Sequence, residues 1–274
     1  MRLGIQSRRS LGYNRGMVGE QEATLTVDQG RGWRWFPERG VARTVLEVLL
    51  IVPAYLLYQL VRGSVDGRTA EAFHRATKLV DIEQALGIFW EAELQSAILT
   101  WDIAVRLVNT VYVWGHLPLL IAVAVWLFTF HRQRYSLFRN AFLISGAIGL
   151  VLFWLLPTAP PRYLQYWGFV DTAVKTGSYY IFQPPAFVNQ YAAMPSLHFG
   201  WSVLAATAVF VNLRAPFRYG ALVLPVISLG GVVLTANHFF LDAVAGAAVA
   251  TLGLWLAVLL RARLPRYRPF SVLA

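Results

Sequence analysis

Two histidines in this chain have neighbours that could make them reactive. Met194-Pro195-Ser196-Leu197-His198 and Asn237-His238-Phe239-Phe240-Leu241-Asp242 each stand at the opening of a long apolar run. His238 and Asp242 are four residues apart, so on a helix they share a face. A carboxylate so placed can accept a hydrogen bond from one imidazole nitrogen. That fixes the tautomer and leaves the other nitrogen as nucleophile or base. Pro195 suits the first turn of a helix, and Ser196 falls among that turn's N–H groups, a ready site for an anion. His198 beside them is placed to give a proton to a leaving oxygen. A third piece, Pro157-Thr158-Ala159-Pro160-Pro161-Arg162-Tyr163, brings Arg162, whose guanidinium can hold phosphate oxygens in a bidentate fork. Together these residues describe phosphoryl transfer. His238 and Asp242 could instead ligate a metal at i and i+4, but no third ligand stands near them and no metal is expected.

The elements that must position these residues follow from composition. The 274 residues are 57% hydrophobic and 14% charged, with no Cys. A soluble domain carries about 25% charged residues, so an ordinary soluble fold is excluded, and so is intrinsic disorder. Without Cys there is no disulfide framework, thiolate chemistry or Cys-ligated zinc. Six apolar runs, at 41–60, 107–130, 138–156, 194–213, 219–236 and 239–260, are each long enough to cross a hydrocarbon core of about 30 Å. The fifth carries Pro225, Gly230 and Gly231, which membrane helices tolerate. The expected fold is all-α: a polytopic membrane protein built as a six-transmembrane-helix bundle. Its expected parts are a flexible basic arm (1–40), a six-span catalytic domain (41–262) and a tail (263–274).

The formal charge of +10 has the sign of a nucleic-acid binder. Its distribution says otherwise. Of the 24 basic residues, 17 fall in 1–43, 131–139, 214–218 and 261–268, all on one side of the six runs. The positive-inside rule then puts both termini in the cytoplasm, the three motifs on the opposite face, and no nucleic acid among the partners. Residues 1–40 lack an early apolar core with a cleavage site, so no cleavable signal peptide is expected there. That arm is expected to lie on anionic lipid.

Between the first two runs, 64–100 reads as an amphipathic helical segment on the outer surface, with Phe73, Ala76, Val80, Ile82, Leu86 and Phe89 on its apolar face. Its acidic residues, Glu83 and Glu91 among them, are expected on the remaining, solvated faces. The Pro-rich stretch 157–193 reads as a functional loop. Asn109, Tyr112 and His116 repeat at helical spacing and either line a headgroup pocket or form a polar seam between helices. Tyr163 and Asn237 are further candidates for the pocket. Glu47 reads as a snorkelling or paired group, and Gly246, Ala247 and Ala250 as a site of close helix packing.

Pro-Ser-Leu-His followed some 40 residues later by His-x-x-x-Asp resembles the type 2 phosphatidic acid phosphatase superfamily. Within it, residues 159–163, 194–198 and 238–242 are similar to the branch containing inositol phosphorylceramide synthases. The resemblance implies that His238 attacks phosphorus to form a phosphohistidine, that Asp242 orients His238, and that His198 protonates the departing oxygen before activating water or an acceptor hydroxyl. It implies no metal and no cofactor, and a lipid phosphate or phospholipid as substrate. The phosphatase pattern has Ser-Arg where this chain has Gly231 and Val232, Lys where it has Leu155, and Gly where it has Leu197. Two cations are thus absent from the phosphate pocket, which favours the synthase-like branch, with Lys175 or Arg106 as alternative sources of charge. Headgroup transfer, release of phosphate to water and non-catalytic lipid binding are the three activities to separate.

Overall fold

A computed structural model of the chain describes residues 38–63, 67–176 and 190–263. Nearly all of the expected basic arm and tail lies outside the described residues. The helices run in the order α1 (Glu38–Gly63), α2 (Thr69–Ala85), α3 (Glu91–Leu99), α4 (Asp102–Thr110), α5 (His116–Phe130), α6 (Arg132–Leu155), α7 (Thr172–Thr176), α8 (Leu197–Asn212), α9 (Val223–Leu234) and α10 (Phe240–Arg263). No strand occurs among the described residues, so the all-α expectation is met there. α4 continues into α5 through a wide π-turn, Val111–Gly115. Such turns recur at functional sites, and this one carries Tyr112.

Among the described residues, four stretches are long and apolar enough to cross a membrane: Asp102–Phe130, Arg132–Leu155, Phe217–Leu234 and Phe240–Arg263. Six had been expected. Of the other two expected spans, the first falls on α1, whose described apolar part is Thr44–Leu56, and the fourth is the shorter helix Leu197–Asn212. α8 has 16 residues, about 24 Å at 1.5 Å per residue, because Met194, Pro195 and Ser196 go into its entry and cap rather than its body. Large apolar side chains face outward on these helices, among them Val226 (69% exposed), Val244 (63%) and Trp255 (56%). Outward apolar faces of this extent match a lipid surround.

α10 is the central helix. Its buried stripe of Ala243, Gly246, Ala250, Gly253 and Ala257 recurs every three or four residues and packs on α6 and α8. Small side chains there let backbones approach closely. Gly200 of α8 lies against Gly246, and Gly246 lies against the Ser196 carbonyl, so a methyl group on either glycine would collide with backbone. α1 is tied to α6 by a buried ion pair between Glu47 and Arg139, with the Tyr135 hydroxyl donating to Glu47 at 3.3 Å.

The segment expected to be one amphipathic surface element is two helices, broken after Ala85, with Gly87 at φ +70°. α2 buries Ala72, Ala76, Leu79, Val80 and Glu83. That stripe is rotated from the expected one, for Ile82 and Leu86 are exposed. It packs with Ala159, Leu164 and Phe169 of the 157–171 loop and with Ala236 and Phe239 just before α10. α2 therefore covers the motif-bearing turn and turns Glu83 toward it, while Asp81 stays exposed. Glu83 and Glu91 are both fully buried, which corrects their expected placement.

Candidate active site

The turn between α9 and α10 carries His238. Ala236 adopts φ +51°, in the left-handed region that a non-glycine residue rarely enters. The chain reverses there, and the N–H groups of Asn237 and His238 both donate to the Val232 carbonyl, at 3.0 and 3.2 Å. His238 lies two residues before the first residue of α10, so the shared helix face expected for His238 and Asp242 is not how they meet. Asp242 instead folds back as a cap, its Oδ2 accepting the Phe239 N–H at 2.9 Å. That places Oδ2 3.6 Å from His238 Nδ1. The short bond of Nδ1, 2.7 Å, goes to the Ala193 carbonyl. A carbonyl can only accept, so a neutral ring must carry its proton on Nδ1, which leaves the lone pair on Nε2.

Ala193 belongs to the segment that opens α8. Ser196 is the N-cap of α8, with Oγ accepting the Phe199 N–H at 3.4 Å, so Pro195 precedes the helix rather than lying in its first turn. The Ser196 N–H donates to the Asp242 carbonyl at 2.9 Å, a direct backbone link between the two histidine motifs. His198, the second residue of α8, lies with its ring nearly parallel to those of Tyr112 and His116, at centroid distances of 4.5 and 3.7 Å. Tyr112 and His116 thus meet the motif histidine from the π-turn and the start of α5.

The loop motif joins both. Thr158 N–H donates to the Tyr191 carbonyl at 2.7 Å and Ala193 N–H to the Thr158 carbonyl at 3.1 Å, a parallel bridge beside the His238 partner. Arg162 N–H donates to the Ala236 carbonyl at 2.8 Å. Its buried guanidinium bonds the Asn237 side chain, lies 3.4 Å from Asp171 Oδ2 and stacks over the Tyr163 ring at 4.8 Å. Three separated motifs, at 158–163, 191–198 and 236–242, therefore meet through named hydrogen bonds.

The other candidates divide. Asn237 belongs to this junction, its amide donating to Thr235 Oγ1 at 2.7 Å. Tyr163 packs in an aromatic cluster with Phe73 and Tyr191, each at 6.4 Å. Asn109 is fully buried, with its amide exchanging hydrogen bonds with Thr172, a polar seam between α4 and α7. Lys175 sits on α7, half-exposed, 3.9 Å from Asp102.

Sequence reasoning missed two carboxyls. Glu91 Oε1 accepts the Phe240 N–H at 2.8 Å and Glu83 Oε1 accepts the Leu241 N–H at 2.7 Å. With Asp242 on Phe239, three successive amides at the start of α10 each have a carboxyl. Burial, then the hydrogen bond with Glu91, pushes the Glu83 carboxyl up to about 9. One signal was available: Glu83 continues the helical spacing of Ala72, Ala76 and Leu79, so it falls on the buried face.

The family model of the PAP2 superfamily matches residues 77–256, which spans the π-turn, the loop and both histidines. Phosphoinositol dihydroceramide synthase of Bacteroides thetaiotaomicron is 26% identical over 179 residues, covering 58% of this chain and 57% of that protein. No solved structure matches the chain. With well over half of its length inside the family match, the chain belongs to the PAP2 superfamily.

Proposed function

We propose that the chain is an integral-membrane lipid phosphotransferase working through a phosphohistidine, which moves a phosphoinositol-type headgroup from a phospholipid to an alcohol acceptor. The observation that carries this reading is the bond of His238 Nδ1 to the Ala193 carbonyl, which leaves Nε2 as the basic nitrogen of a buried ring. In the first step Nε2 attacks phosphorus, the phosphorus–oxygen bond to the diacylglycerol breaks, and His198 as imidazolium protonates the departing oxygen. In the second, neutral His198 takes the proton of the acceptor hydroxyl, whose oxygen displaces His238 from phosphorus. Asp242, 3.6 Å from Nδ1, stabilises the positive charge that the ring gains on attack. Arg162 is the cation for the phosphate oxygens, and Ser196, as N-cap, orients the first-turn amides of α8 toward them.

The family relationship supports chemistry on a lipid phosphate, and the relative's name supports a phosphoinositol group and a dihydroceramide-type acceptor. The basic clusters support six spans with cytoplasmic termini, which puts the site on the extracytoplasmic side. The deciding experiment incubates purified protein in nanodiscs with headgroup-labelled phosphatidylinositol, with and without dihydroceramide. Label should appear in the sphingolipid only when the acceptor is present. Release of inositol phosphate or phosphate to water at the same rate without acceptor would replace the transferase with a phosphatase.

A further inference from the structure

We propose that Glu83 and Glu91, sharing one proton, are positioning residues for His238: they hold the first amides of α10 and thereby aim the imidazole just upstream. This rests on the nucleophile reading above. First-turn amides of a helix have no partner within the helix, and one local side chain ordinarily caps them. Here Asp242 takes Phe239, while Phe240 and Leu241 are taken by carboxyls 149 and 158 residues away in sequence. Their bonds pin His238 to α2 and α3, while the Ala193 bond pins it to the α8 segment. The nucleophile is fixed from both sides.

The charge balance calls for the shared proton. Glu83, Glu91 and Asp242 are all fully buried. Three ionised carboxylates around one helix turn would repel one another and any phosphate brought to His238. Glu83 Oε2 and Glu91 Oε2 are buried and receive no hydrogen bond. The two carboxyls take adjacent amides of one helix turn, and a proton on one of them supplies a donor that the pair otherwise lacks. The charges acting on Glu83 are Glu91 on α3 and Asp242 on α10, and burial dominates them. On the loop packed against α2, Arg162 is paired with Asp171 and Asn237. Among the described residues no three His, Asp or Glu side chains are arranged to hold a metal ion, so the pair does not read as a cation site.

Glu83→Gln keeps an acceptor for Leu241 and gives Glu91 a permanent N–H donor, which mimics the protonated pair at every pH. Full-length protein in nanodiscs is expected to lose kcat for labelled phosphatidylinositol as pH rises through about 9, the value at which the Glu83 proton leaves. In Glu83→Gln that alkaline limb should move up by about one pH unit or more, with KM steady. Glu83→Ala should lose kcat about thirtyfold at pH 7 with KM within about threefold, and Glu83→Gln should recover most of it. An alkaline limb unchanged in Glu83→Gln, or wild-type kcat in Glu83→Ala, overturns the proposal. Amide exchange over 236–245 supplies a readout independent of turnover. Relative to intrinsic exchange, wild-type protection should fall between pH 8 and 10 and that of Glu83→Gln should not. If the wild type turns over no lipid while this contrast holds, the functional reading fails and the proton-dependent hold on the turn stands. If the contrast is absent, the hold itself is wrong.

Discussion

The two histidines are held in different ways. His238 sits in a turn wired by backbone: its own amide to Val232, its ring to the Ala193 carbonyl, and the amides after it to Asp242, Glu91 and Glu83. His198 sits inside a helix and meets Tyr112 and His116 ring to ring. A nucleophile needs one tautomer and one direction, and directional hydrogen bonds supply both. A group that must gain and lose a proton in alternate steps is served by flat contacts, which hold the plane of the ring in either protonation state. These surroundings fit the division of labour proposed for the two histidines.

The hardest test of that contrast removes each ring in turn. His238→Ala should lower kcat by about 10⁴-fold or more with every substrate and leave no trappable phosphoenzyme, since the covalent step has no substitute. Acid-quenched labelling reads this directly, and a labelled phosphoenzyme in the variant would end the assignment. His198→Ala should cost about 10²–10⁴-fold with a lipid, whose alkoxide needs a proton, and far less with a nitrophenyl phosphodiester, whose leaving group needs none. Equal losses on both substrates would remove the acid–base role and with it the contrast.

The contrast was only half legible in the sequence. Types and spacing at His198, His238, Asp242 and Arg162 pointed to the junction, because each motif abuts an apolar run and the charge pattern predicts one side for all three. What held the rings was hidden. The Ala193 carbonyl is backbone and has no side-chain signature. Glu83 and Glu91 looked like surface charges because an isolated carboxylate is costly to bury, and only the amides of a helix 150 residues away offset that cost. The His238–Asp242 pairing was foreseen for the wrong reason, since the carboxylate reaches back as a cap from the first turn. The spans suffered similarly: the run at 194–213 measured apolar residues without knowing that its first three would be spent on the entry to α8.

A smaller effect separates motif geometry from general packing. Gly246→Ala pushes a methyl against the Ser196 backbone, between the two histidine segments. Overpacking of this kind costs about 1–3 kcal/mol, and a shift near 1 Å between reacting groups can cost about 10²-fold in kcat. Gly253→Ala, lower on the same helix, presses on Ser145 and Ala141 of α6 instead. It should lower the unfolding temperature comparably while sparing most of the activity. Equal activity losses in the two variants would mean that the close crossing of α8 and α10 stabilises the bundle without setting the distance between the rings.

The smallest effect is expected at Ala236, where opposing terms nearly cancel. A left-handed backbone costs an L-residue about 1–2 kcal/mol, which Ala236→Gly would relieve. The same change removes a fully buried methyl from the cluster under α2, a loss of about 0.8 kcal/mol. It also gives the unfolded chain more freedom, worth about 0.4–1 kcal/mol against folding. The sum lies within about 1 kcal/mol of zero, so thermal unfolding in detergent should hardly move. Ala236→Val meets the same backbone with a branched side chain that also has no room, and both terms then point the same way, to a loss of about 2 kcal/mol or more. If glycine proved strongly destabilising as well, the methyl contact with α2, rather than the bend of the backbone, would be what holds the His238 turn in place.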